Sequence, residues 1–336
     1  MCSGFGRVLY TGVREQVTMR GCGVRFGIAA VVILATVASV AQEVKRPRIT
    51  GISHVAFNVS DLSKAIAFWH DFLGYDEAYD LKKPDGSVRI AFIKLNDRQH
   101  VELFNEPPRV PHNMLSHLCF TVDDIEQMRA YLGSKGIAVP AKAEKTRAGD
   151  YAFEIKDPDG TLVEFVQMLP TGMEAKAAGK FLPDTRIAER IYHVGFLVGD
   201  SQKALDFYGG ILGFMETWRG GGDPKVLSWI NMKVPDGDDY IEFMLYGALP
   251  DVSTWGGRNH VSLVVPDAAK AVEILEARPA FKEYGKPLKI ATGVNQKRQV
   301  NLFDPDGTRV ELMEPRTVTG KPTPPSTAPP PVPVPR

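Results

Sequence analysis

His54-Val-Ala-Phe-Asn-Val59 decides how this chain is read. Side chains of a strand alternate between its two faces. Val55, Phe57 and Val59 therefore share an apolar face, while His54, Ala56 and Asn58 share the other. Such a run packs one face on a helix and turns the other, with its imidazole, toward a concave surface. The pattern returns as His117-Leu-Cys-Phe-Thr-Val122, His193-Val-Gly-Phe-Leu-Val198 and His260-Val-Ser-Leu-Val-Val265. After each, at nearly one spacing, comes a Glu held between apolar residues: Glu102, Glu164, Glu242 and Glu311. Val101 and Leu103 face the helix, so Glu102 faces inward, and the same parity holds in all four copies.

Self-similarity at this period marks repeated supersecondary units. In the first, Asp61 caps a helix with the apolar face Leu62, Ala65, Ile66, Trp69, Phe72 and Leu73, stopped by Gly74. The third repeats the plan from Asp200 or Ser201 to Gly213, the second starts at Asp124, and the fourth near Pro266-Asp267. The turns Asp157-Pro-Asp-Gly160 and Asp304-Pro-Asp-Gly307 precede Glu164 and Glu311 and have hairpin chemistry. Each repeat thus reads as a His-led strand, an amphipathic helix, and two or three further strands.

A chain of 336 residues that is 44% hydrophobic suits two domains with ordinary cores. Zero formal net charge with interspersed signs excludes the basic field that nucleic acid or an anionic membrane needs. Arg20 and Arg25 precede an apolar run over residues 27–40, followed by small residues. That reads as a signal peptide over 1–41, with Met19 as an alternative start, and implies a periplasmic or secreted protein. The alternative is a membrane anchor formed by the same segment left uncleaved; after processing, no stable membrane insertion is expected. Only Cys119 then remains, so no internal disulfide or thiolate cluster can form. The expected organisation is a first domain over 51–168, a linker over 169–191, a second domain over 192–315, and a disordered proline-rich tail over 316–336. The oligomeric state is left open.

Neutral imidazole and carboxylate together suit a divalent ion: Zn, Ni, Mn, Co or Fe. The candidate ligands are His54, Glu102, His117, Glu164, His193, Glu242, His260 and Glu311. Two His and two Glu leave positions for water or for a small-molecule substrate that chelates through neighbouring oxygens. His70, His100 and His112 fall outside the repeat position and read as ordinary. Glu164 and Glu311 are the candidate catalytic carboxylates, shuttling a proton at the carbon beside the bound oxygens.

The motifs His-x-x-φ-x-Val, the helix endings Leu73-Gly-Tyr75 and Leu212-Gly-Phe214, and Asp-Pro-Asp-Gly-Thr-x-Val-Glu at 157–164 and 304–311 resemble the vicinal oxygen chelate superfamily. This is the group of glyoxalase I, bleomycin-resistance proteins and extradiol dioxygenases. The resemblance implies an α+β fold of four βαβββ modules forming two curved-sheet domains. It implies modules paired either within halves, as 54/102/117/164 and 193/242/260/311, or across them, as 54/102/260/311 and 117/164/193/242. It also implies a glyoxalase-like lyase or isomerase. A ring-cleaving Fe(II) dioxygenase, which uses a single Glu, is the first alternative, and a non-catalytic ligand-sequestering protein is the second. Glutathione-type glyoxalases carry an Arg four residues after the first His. Asn58 and Leu197 stand there, which points away from a glutathione adduct.

Overall fold

The computed structural model describes residues 43–332 together with Gln16; the rest of the expected signal segment 1–41 lies outside the described residues. The first half contributes strands β1 (Ile49–Asn58), β2 (Glu77–Lys82), β3 (Val88–Asn96), β4 (Gln99–Phe104), β5 (Leu115–Val122), β6 (Glu144–Lys145), β7 (Tyr151–Lys156) and β8 (Leu162–Gln167). The second contributes β9 (Ile191–Val198), β10 (Met215–Gly220), β11 (Trp229–Lys233), β12 (Tyr240–Leu245), β13 (His260–Val264), β14 (Ile290–Thr292), β15 (Lys297–Phe303) and β16 (Arg309–Thr317). They form two eight-stranded sheets, ordered β2-β3-β4-β1-β5-β8-β7-β6 and β10-β11-β12-β9-β13-β16-β15-β14. The fold is α+β, two curved half-barrels of two modules each. The modules pair within halves, because β1 lies beside β5 and β9 beside β13.

The helix of each repeat sits where the sequence places it. Helix α1 (Leu62–Ala67) begins at Asp61, whose carboxylate accepts from Lys64 N at 3.1 Å; a π-helical turn then carries Phe68–Phe72. Gly74, at φ 82°, ends the segment in the left-handed region that favours glycine. Asp124 and Asp267 cap α2 (Ile125–Ser134) and, later in the chain, Ala268–Glu276 in the same way. The apolar outer faces of both sheets and these helices bury Val55, Phe57, Trp69, Leu103, Phe165, Val194 and Phe243 in one continuous core.

The two halves join back to back. Phe120 meets Phe214 edge-on at 5.1 Å, and Phe72 stacks on Tyr284 at 4.5 Å. Asp239 reaches from the second half to accept from Ile52 N at 3.0 Å and Gln99 Nε2 at 3.1 Å, balanced by Arg190 at 2.9 Å. The proline-rich segment, expected without fixed contacts, makes several. Ser326 N donates to Arg219 O at 2.7 Å, Thr323 donates to Asn295 O, and Ala328 is buried in the main core. Its non-proline residues supply the donors that its prolines lack. Among the described residues no helix is long and apolar enough to cross a membrane.

Candidate metal centres

The four central strands of each sheet carry one ligand apiece, and their register brings the ligands together. In the first half Ala56 pairs with both Glu102 and His117, while Cys119 pairs with both His54 and Glu164. In the second half Gly195 pairs with Glu242 and His260, and Ser262 with His193 and Glu311. Strand parity then turns all eight ligands to the concave side, as the alternation predicts. Each half builds its own cup.

In the first cup His54 Nε2 lies 3.0 Å from His117 Nε2 and 3.0 Å from Glu164 Oε2, and His117 Nε2 lies 3.2 Å from the same oxygen. Ligands about 2.1 Å from a metal and at right angles to one another are roughly 3.0 Å apart. His54, His117 and Glu164 therefore stand at the spacing that neighbouring ligands of one divalent ion would have. Glu102 stands farther out, 3.6 Å from His54 and 3.8 Å from His117. Burial opposes its ionisation and that of Glu164, but the surrounding imidazoles outweigh this and hold both carboxyls below their ordinary range. Burial likewise opposes charging of His117, and Glu164 reverses the balance. Cys119, whose thiol burial pushes well above its ordinary range, stands with His54 and Glu164 close enough to share an ion.

The second cup repeats the contacts: His193 Nε2 to His260 Nε2 is 3.1 Å, His193 to Glu311 3.4 Å, and His260 to Glu242 3.7 Å. His260 Nδ1 lies 2.9 Å from Arg258 O and also beside the Arg309 guanidinium; donation to Arg258 would leave Nε2 with the ligating lone pair. The electrostatics are inverted. Burial, then Arg309, hold His193 and His260 well below the usual imidazole range. Burial and the neighbouring Glu311 push Glu242 up to about 8. Glu311 Oε2 is buried without a hydrogen-bond donor, the condition a cation would satisfy. Both donor sets fit a divalent ion.

His100, read from sequence as ordinary, belongs to the first cup. It pairs with His54 across β1 and β4, stacks on its ring at 4.6 Å, and sets Nε2 3.4 Å from Glu102. The pattern His-x-Glu, which puts both residues on one strand face, was the signal that could have revealed it. Tyr240 occupies the matching position in the second cup, stacked on His193 at 4.6 Å. His70 is exposed beside Asp71, and His112 lies in an exposed turn.

The Glyoxalase/Bleomycin resistance protein/Dioxygenase superfamily model matches residues 51–165 and 190–312, which covers both cups. The chain belongs to this superfamily. Within it, the chain is 24% identical over 225 residues to glyoxalase I of Saccharomyces cerevisiae, covering 60% of this chain and 64% of that one. It is 29% identical over 121 residues to biphenyl-2,3-diol 1,2-dioxygenase of Metapseudomonas furukawaii, covering 34% and 39%. The match thus spans less than two thirds of either relative. The fold is also that of the Mn(II)-bound glyoxalase from Novosphingobium aromaticivorans, with TM-score 0.59 and 19% identity over 80% of this chain and 83% of that one. The superfamily expected from the sequence holds, and among the described residues three sets of His, Glu or Cys stand close enough to share a metal ion, two including His54 and one made of His193, His260 and Glu311.

Proposed function

We propose that this superfamily member is an exported divalent-metal lyase or isomerase acting on a small substrate with neighbouring oxygens. The observation that carries this reading is the complete two-His, two-Glu set in the first cup, with three of the side chains 3.0–3.2 Å apart and the fourth, Glu102, 3.6 and 3.8 Å from the imidazoles. A bound divalent ion would polarise a carbonyl of the chelated substrate. Glu164, close to both imidazoles, anchors the site. Glu102, which lines the cavity with His100 Nε2 3.4 Å from it, would take the proton from the carbon beside the chelated oxygens. This reverses the assignment made from sequence, which gave that task to Glu164; Glu311, also nearer its histidine than Glu242 is, belongs with the anchors. The cavity at the first cup has a volume near 270 Å³, room for a small molecule, and Arg109 and Arg147 stand at its edge.

One observation favours a second reading. His54, His117 and Glu164 are also a two-His, one-carboxylate face, the arrangement used by non-haem Fe(II) oxygenases. Turnover of methylglyoxal adducts and of catechols by the metal-loaded chain, with dissolved oxygen monitored, separates the two. Conversion without oxygen uptake is the expected result. Oxygen uptake stoichiometric with ring cleavage would replace the lyase reading by the dioxygenase one.

A further inference from the structure

The proline-rich segment does more than find contacts: it spans the second half-barrel. In that sheet β10 and β14 are the two edge strands, at opposite ends of the order. After β16 the chain turns at Gly320, whose N–H donates to Thr317 O at 3.0 Å, while Val318 N donates to Gln296 O at 2.8 Å. Thr323 then donates to Asn295 O in the turn from β14 to β15, and Ser326 N donates to Arg219 O on β10 at 2.7 Å. Residues 317–326 thus strap one edge of the sheet to the other. Between this strap and the sheet lies a cavity near 440 Å³, inside the range of roughly 300–1,000 Å³ usual for small-molecule sites. None of the eight candidate metal ligands lines it.

The lining says what the cavity can take. Tyr192 and Tyr240 meet edge-on at 5.0 Å and, with Trp218, supply aromatic walls. Four cationic side chains join them, Lys233 and Lys297 from the sheet, Arg316 and Lys321 from the end of β16 and the strap. Asp238 is the one carboxylate in that lining, its side chain 93% exposed and 3.9 Å from Lys233. Lys297 donates to the neutral Tyr192 OH at 2.7 Å, with its ammonium 4.9 Å from the ring centroid. Among the described residues, no carboxylate pairs with Lys297, Arg316 or Lys321. Like charges facing one concave space concentrate anions there. Trp218 Nε1 is buried with no acceptor, and a stranded donor of that kind marks where a ligand oxygen belongs. We propose that this chamber binds a small aromatic anion, its ring against the aromatic walls and its charged group among the four cations. Trp218 Nε1 offers that ligand a neutral donor. The site is separate from both metal cups and does not depend on the lyase reading.

Benzoate, benzamide and acetate are titrated calorimetrically into the full-length chain, once stripped of metal and once reloaded with Zn(II), because a carboxylate also binds metal ions. Benzoate is expected to occupy one site per chain in both states. It should bind at least about tenfold more tightly than benzamide, which lacks the charge, and than acetate, which lacks the ring; tenfold is the scale of one charged hydrogen bond. Lys297→Met keeps the stem over Tyr192 and removes the charge. It is expected to weaken benzoate about tenfold and leave benzamide unchanged, while Lys297→Arg retains wild-type affinity. Should Lys297→Met fail to fold, Arg316→Met combined with Lys321→Met, both at exposed positions, reads the same loss of anion preference. Three results overturn the proposal and leave the metal reading standing: benzoate binding no tighter than benzamide or acetate, benzoate binding to the reloaded chain alone, and benzoate affinity unchanged in the Met variants.

Discussion

Replacing Glu102 by Gln is expected to lower turnover by about 10²–10⁴-fold, the range associated with losing a positioned general base. Gln keeps the side-chain length and a carbonyl oxygen, so a metal held by His54, His117 and Glu164 stays bound. What disappears is basicity at the one carboxylate with slack. It stands 3.6 and 3.8 Å from the imidazoles, where Glu164 stands 3.0 and 3.2 Å away. The check is kcat for whichever methylglyoxal adduct or catechol the wild-type chain turns over, with the metal content of each preparation measured alongside. A loss of rate with unchanged metal content supports Glu102 as the proton carrier. An unchanged rate removes it from that role and favours the dioxygenase reading, which needs one Glu.

Gly195→Ala should disable the second cup and leave the first intact. A Cβ at this position would lie 1.9 Å from His260 Cε1, inside the imidazole. His260 has nowhere to retreat: it is 0% exposed, bonded to Arg258 O through Nδ1, and backed by Arg309. The added methyl is expected to cost about 1–3 kcal/mol of stability, as overpacking of a tight interior does. It should also release one bound ion per chain. The first cup already carries Ala56 at the matching place, opposite His117, so its ion should remain. Denaturant unfolding together with metal analysis of the variant reads both effects. Retention of both ions at wild-type affinity would show that Gly195 is not required by His260.

What the sequence disclosed follows from how strands are built. Period-two alternation turns His54 and Glu102 to the face opposite Val55 and Leu103, and repetition turns single weak signals into eight ligands. The capping aspartates and the Asp-Pro-Asp-Gly turns were legible for the same reason, since their chemistry is local. Module pairing was not legible, because both arrangements give two His and two Glu per site. It is decided by β1 lying against β5, a contact between residues far apart in the chain. His100 was read as ordinary because its meaning depends on lying beside His54 in the neighbouring strand. The proline-rich segment is comparable: composition predicts a solvated tail, while Ala328 finds a place in the core.

The account depends on two separate cation sites, each closed by ligands from one half of the chain. The direct test is the metal count of purified, chelator-stripped protein reloaded with Zn(II) or Mn(II) and dialysed. Two ions per chain are predicted for the wild type, with one lost in His117→Ala and the other lost in His260→Ala. A chain that holds no stoichiometric ion, or ions that survive both substitutions, would contradict it.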